Sequence, residues 1–202
     1  MQVSHGERNL KSPGMARIAA FVRQQQEKWQ EGEAPLGLET YEQELNEHLM
    51  ALGQELIAEE LSRYDVDAKE IEVEGRRYVR GQQSTMTYQS AAGPVVVERY
   101  LYSAVESESK GVCPLELRCG IVNGLFTPRA ARQSAFALAH LTPRDAEELF
   151  AEIGNMRPSR STLDRLPKAI SQQWEVQREE WERALRCTET VAPEAVTLVV
   201  SQ

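Results

Sequence analysis

Apolar residues recur along most of this chain at spacings of three and four, and along one central stretch at a spacing of two. That pattern predicts an α+β fold that is mainly α. Residues 1–14 show no period and read as a flexible tail. Over 15–30, Ile18, Ala19, Phe21, Val22 and Trp29 supply the apolar bulk of a short helix, and the Gly- and Pro-containing stretch 31–37 breaks it. The strongest helical pattern covers 37–63, where Leu38, Leu45, Leu49, Leu52 and Leu56 form a seam like that of paired helices, with glutamates on the outer faces. Such a helix can pack on its own chain or pair with a twin; fewer than four clear heptads favour the former.

From Ile71 the period becomes two. Ile71 and Val73 alternate with acids, and two runs rich in Thr, Val and Tyr, parted by Ala91-Ala-Gly-Pro, predict a β-hairpin. A loop over 105–111 leads into a helical block: a short helix at 115–122, then one opened by Thr127-Pro128 and running to His140. Thr142-Pro143 opens a third, whose apolar face carries Ala146, Leu149, Phe150 and Ile153 and which ends at Gly154-Asn155. A fourth helix starts near Ser159 or Ser161, turns Leu163 and Leu166 inward, and gives way to a longer one over 170–186. The last stretch, from Ala195, reads as a buried strand. The expected units are a flexible segment with a short helix (1–37), a long helix plus β-hairpin (38–110), a helical block with a helix-turn-helix (111–188) and an orphan strand (189–202).

The helices on either side of 154–159 carry the most chemistry. Arg157, Ser159, Arg160, Ser161, Thr162, Arg165 and Lys168 crowd the start of the second helix, and residues 154–170 hold four basic residues against one acidic. A helix-turn-helix sends the N-terminal end of its second helix into the major groove; hydroxyls and amides at a helix start bind phosphate, and Arg can fork onto guanine. The plainer alternative is an ordinary helical hairpin with a solvated Arg-Ser turn.

Charge sharpens this picture. The 202 residues carry a net charge of -8, so any nucleic-acid contact must be local and not spread over the surface. Residues 38–62 hold seven Glu and no Lys or Arg, whereas Arg76, Arg77, Arg80 and Arg99 face only Glu98 over 76–99. Those arginines, interleaved with Tyr78, Tyr88, Tyr100 and Tyr102, are either phosphate contacts or part of a structural sheet whose tyrosines cover the core; the second reading is favoured.

Cys113, Cys119 and Cys187 form no even framework and no close metal spacing, and His5, His48 and His140 are scattered. Reduced thiols in a cytoplasmic protein are expected, with no metal, no cofactor, no nucleophile–base pair and no membrane partner. No apolar run approaches membrane-spanning length, and the N-terminus lacks the apolar core of a signal peptide.

Several stretches carry a family likeness. They are Thr87-Tyr-Gln-Ser-Ala-Ala-Gly-Pro-Val-Val-Val-Glu-Arg-Tyr-Leu-Tyr, Val112-Cys-Pro-Leu-Glu-Leu-Arg and Gly120-Ile-Val-Asn-Gly-Leu-Phe-Thr-Pro-Arg-Ala-Ala, then Ala139-His-Leu-Thr-Pro-Arg-Asp-Ala-Glu-Glu-Leu-Phe and Pro158-Ser-Arg-Ser-Thr-Leu-Asp-Arg-Leu-Pro-Lys-Ala. In order and spacing, over roughly 40–201, the chain resembles the N-terminal portion of bacterial insertion-sequence transposases of the ISKra family. The resemblance implies a DNA-binding region that recognises transposon ends, ahead of a ribonuclease-H-like core that works through divalent metals. In that family the first catalytic Asp follows a strand like Val196-Thr-Leu-Val-Val-Ser within Ser-Leu-Asp-Gly. Here Ser201 is followed by Gln202, so no catalytic residue carries over and no catalysis is expected of the chain itself. The expected partners are DNA and, through mixed assembly, a second copy or a full-length transposase. Competing readings are a protein-interaction module built on the 38–63 leucine seam, and a decayed remnant.

Overall fold

Ser12 and Pro13 open the first helix of the structure, a computed structural model that describes residues 12–32, 34, 37–105 and 111–188. The expected C-terminal strand lies outside those residues, as does most of the expected tail. Helix α1 runs Pro13–Gln30, two residues earlier than its apolar pattern suggests, because the Ser12 hydroxyl accepts the Met15 N–H and Pro13 takes the first helical position. Helix α2, Leu38–Ser62, folds back on it. Phe21 packs on Tyr41 and His48, while Gly14 comes so close to Leu52 and Glu55 that a β-carbon there would clash. The Gly14 N–H donates to Glu55 Oε2 at 2.7 Å, and Arg17 pairs with the same carboxylate.

Three antiparallel strands follow in sequence order: β1 (Glu70–Val73), β2 (Arg76–Ser90) and β3 (Gly93–Ala104). The expected hairpin is β2–β3, and β1 extends it through a two-residue turn at Glu74 and Gly75, both with positive φ. Pro94 is tolerated in β3 because β3 is an edge strand. Alternation is clean there: Val95 and Val97 are buried, Val96 and Glu98 exposed. The buried face meets α2, where Ile57, Ala58 and Leu61 join Tyr88, Val95, Val97, Cys113 and Leu115 in one core. Gln54 of α2 donates to Ala92 O at 2.9 Å, securing the hairpin tip.

Only part of the leucine seam does this packing: Leu52 meets Gly14 of α1, and Leu45 and Leu52 are half-buried. Helix α2 uses its two flanks, one for α1 and one for the sheet, and Leu38, Leu49 and Leu56 of the seam are exposed.

Helix α3 (Pro114–Cys119) stops three residues short of its expected end because Gly120 adopts the left-handed conformation. Residues 121–127 then run beside the end of β2. Gln89 N donates to Leu125 O at 2.8 Å and Gln89 O accepts from Thr127 N at 2.9 Å. Helices α4 (Pro128–Leu138), α5 (Pro143–Ile153) and α6 (Arg160–Thr188) enclose a second core of Phe126, Ala130, Ala131, Ala137, Ala146, Phe150, Met156, Leu163 and Leu166. The molecule is thus α+β and mainly α. No helix among the described residues is long and apolar enough to cross a membrane.

Two expectations need correction. The helix begun near Ser159 and the one expected over 170–186 are a single helix, α6, which continues through Pro167. Leu163, Leu166 and Ile170 all pack on the same core, and that packing holds the helix together across a residue that removes one backbone bond. In α5, Ala146 and Phe150 are buried as expected, but Leu149 and Ile153 are exposed.

Candidate nucleic-acid interface

The α5–α6 unit is set up by local chemistry. Thr142 Oγ1 accepts the Asp145 N–H at 3.3 Å and donates to Asp145 Oδ2 at 2.7 Å, which fixes the start of α5. Gly154, at φ 79°, ends it, its N–H reaching Phe150 O. The connection is not the tight turn expected. It takes six residues, 154–159, longer than the roughly three or four of a compact helix-turn-helix, and it is plugged into the core by buried Met156 and Pro158.

Ser159 caps α6. Its carbonyl accepts the Leu163 N–H at 3.0 Å, and its hydroxyl lies 2.8 Å from Thr162 Oγ1 and 3.1 Å from Ser161 Oγ. The three hydroxyls expected at the site are therefore gathered at one helix end. A carboxylate joins them: Glu147 of α5 accepts the Arg160 N–H at 3.0 Å. Pattern reading missed Glu147 because its partner lies 13 residues away across the turn.

Around α6, at about 100° per residue, Ser161, Arg165 and Lys168 fall within about 60° of one another, on the side away from Leu163 and Leu166. Arg160 and Asp164 border that side, and all five residues are exposed. Arg160, Arg165 and Lys168 make no ion pair among the described residues. The basic surface is short, since Glu175 and Glu179 follow on the same side of the helix.

Arg157 stands apart from this group. It lines a cleft of about 700 Å³ between α2 and the α5–α6 turn, together with Glu42, Glu47 and Glu152. Two further cations, Arg129 and Arg132 on α4, are exposed and make no ion pair among the described residues. They sit either side of the buried Ala130–Ala131 pair, a pattern visible in the sequence and not used there.

Three of the four hairpin arginines have structural work, while Arg76 is exposed and makes no ion pair among the described residues. Arg77 pairs with Glu70, Arg80 with Asp67, and Arg99 with Glu116 at 3.1 Å. Tyr78, Tyr88 and Tyr102 are buried, as the structural reading of that sheet expects. Tyr88 donates to Glu116 Oε1 at 3.0 Å; burial and the neighbouring Glu116 charge push its phenol pKa far up, so it stays protonated. For Arg99, burial opposes the charge, but the hydrogen bond to Cys113 and the Glu116 carboxylate outweigh it and the guanidinium pKa rises. Tyr102 donates its hydroxyl to backbone carbonyls of Val66 and Ala68 and accepts the Ala68 N–H, pinning the α2–β1 connection.

Among the described residues no group of three or more His, Cys, Asp or Glu is arranged to hold a metal ion. His48 stacks near Phe21 and His140 near Phe136, each with ring centroids 4.9 Å apart. Cys113 and Cys119 are free thiols, and burial pushes the Cys119 pKa up. Neither a family model nor a curated protein nor a solved structure matches the chain.

Proposed function

We propose that the α5–turn–α6 unit binds duplex DNA, with the first turns of α6 entering the major groove. In this reading the protein is the end-recognising part of an insertion-sequence transposase, acts in the cytoplasm, and contributes binding without cutting strands.

One observation carries the proposal. Arg160, Arg165 and Lys168 stand exposed and without ion-pair partners among the described residues, in the first turns of α6, in a protein of net charge -8. Elsewhere Arg17, Arg63, Arg77, Arg80, Arg99, Arg144 and Arg178 each hold a carboxylate, while Arg129 and Arg132 of α4 share the unpaired state among the described residues. Three cations beside a helix start, against Glu147 and Asp164, offer phosphate mobile charge next to the helix dipole. The acidic stretch from Glu175 onward favours entry by the N-terminal end, since the rest of α6 would be repelled by the backbone.

Fluorescence anisotropy with a short random-sequence duplex, and with a duplex selected from a random pool by the full chain, tests this. Binding is expected at low salt, with log K falling against log salt at about -0.9 per phosphate neutralised. Arg160→Ala with Arg165→Ala should flatten that slope by about 1.8. Absence of binding at low salt, or binding indifferent to the double substitution, overturns the reading.

A further inference from the structure

Helices α4 and α6 start at the same end of the helical trio. The Thr127 N–H, just before α4, donates to Gln89 O at 2.9 Å, and Asn155 O, in the turn before α6, lies against Gly93. Gln89 and Gly93 belong to one hairpin tip, where they pair with Pro94 and Ser90. Further along, Ala135, Leu138 and Ala139 of α4 line one groove with Pro167, Ile170 and Trp174 of α6. Ala135 and Pro167 each stand seven residues beyond the first residue of their helix, Pro128 and Arg160. The two helices therefore lie side by side and run in the same general direction.

Their starts are also alike in charge. Arg129 and Arg132 are exposed and make no ion pair among the described residues. They belong to the longest run of the sequence without Asp or Glu, between Glu116 and Asp145. At about 100° per residue, Arg132 lies in line with Ala139, and Arg160 with Pro167, so each begins a row that lines the groove. Arg129 lies about 60° round from Arg132, on the side of α4 away from buried Ala130, Ala131, Ser134 and Ala137. Asp164 is the carboxylate of α6 that borders this surface.

We propose that Arg129 and Arg132 grip the phosphodiester strand flanking the groove that α6 enters, so that α4 holds the duplex in place while α6 reads it. The inference rests on the duplex-binding reading of α6 and adds a second element to it. Packed helices lie about 8–10 Å apart, and the major groove of B-DNA is about 12 Å wide. A helix packed beside one seated in the groove, and starting level with it, meets the groove wall. That wall is phosphate, and the bases lie out of its reach. Contacts to phosphate fix register and orientation without carrying sequence information. Helix α4 itself holds no carboxylate to oppose them.

Anisotropy titrations of the full chain over a range of salt concentrations test this, with the random-sequence duplex and the selected one. Arg129→Ala with Arg132→Ala should flatten the plot of log K against log salt by about 1.8, a loss of about sixtyfold at 0.1 M salt. Both duplexes should weaken by the same factor. Arg129→Lys with Arg132→Lys keeps the charge and should keep the slope. Lys69→Ala with Arg76→Ala removes equal charge at exposed positions away from the hairpin tip and should leave the slope as in wild type. An α4 alanine pair that binds as wild type does, while Arg160→Ala with Arg165→Ala weakens binding, overturns this inference and leaves the α6 reading standing. A loss confined to the selected duplex would make α4 a reader of bases, and an equal loss in the Lys69–Arg76 variant would trace the effect to net charge; either overturns the inference. No duplex binding by the wild type removes both readings.

Discussion

The carboxylate of Glu147 on α5 accepts the backbone N–H of Arg160, the first residue of α6, at 3.0 Å. It places a built-in anion at the helix end where a DNA phosphate is proposed to dock. The same contact fixes the angle at which α6 leaves the turn. Support and hindrance are thus combined in one side chain.

Glu147→Gln separates the two roles. The amide keeps an acceptor for Arg160 but loses the charge, so stability should fall by about 0.3–1 kcal/mol, the usual worth of an anion near a helix start. Affinity for a duplex should improve. A like charge removed at ~8 Å in water is worth about 0.5 kcal/mol, roughly a factor of two. Thermal denaturation and anisotropy read the two effects, and a weaker complex would show that Glu147 does not oppose the phosphates.

Arg157 and Arg165 should behave differently although both belong to the basic cluster in sequence. Arg157 lines the cleft with Glu42, Glu47 and Glu152, so Arg157→Ala should alter duplex affinity less than about twofold. Arg165→Ala or Lys168→Ala should each cost about eightfold at 0.1 M salt if each residue neutralises one phosphate. Equal losses at all three positions would mean that the cleft side also meets DNA.

Pro167 interrupts the backbone ladder of a helix held together by Leu163, Leu166 and Ile170. Pro167→Ala restores one donor and should stabilise the protein by about 1–3 kcal/mol. Urea denaturation checks it. A loss of stability would show that the ring itself packs usefully.

Asp65 accepts the Tyr100 N–H through both carboxylate oxygens, at 3.1 and 3.3 Å. Burial is the largest influence on its carboxyl and raises the pKa, against the lowering effect of the Val66 and Tyr100 amides. A raised folded-state pKa means that the folded protein holds the proton more tightly than the unfolded chain does. Ionised Asp65 therefore works against folding at neutral pH, and the penalty fades as pH falls through the raised value toward the ordinary 3.8. Asp65→Asn should be more stable than wild type at pH 7, with an advantage that disappears toward pH 3.8. A constant advantage across that range would rule out the titration.

Features decided within four residues are legible in the sequence. Thr142-Pro143 opens α5, Gly154 closes it, and five of the seven Glu of α2 are exposed, Glu44 and Glu55 being half-buried. Residues decided by distant partners are not. Nothing local distinguishes Arg157 from Arg165, and only α2, more than a hundred residues earlier in the chain, separates them. The break expected before 170 is absent because Leu163, Leu166 and Ile170 pack on one distant core, which leaves no local sign in the sequence. The leucine spacing of α2 identifies a helix correctly, yet spacing alone cannot say that Leu52 meets the rest of the chain while Leu38, Leu49 and Leu56 stay exposed. Tyr88 and Tyr102 read as core residues from strand alternation, but their hydroxyl partners, Glu116 and the 66–68 backbone, have no sequence signature.

Gln89 gives both its amide and its carbonyl to the strand-like crossing at 125–127. A residue clamped on both sides by one neighbour resists twisting as well as separation, so the helical trio has no free swivel at that junction. The same crossing ties α4, α5 and α6 to β2, whose hairpin tip Gln54 ties in turn to α2.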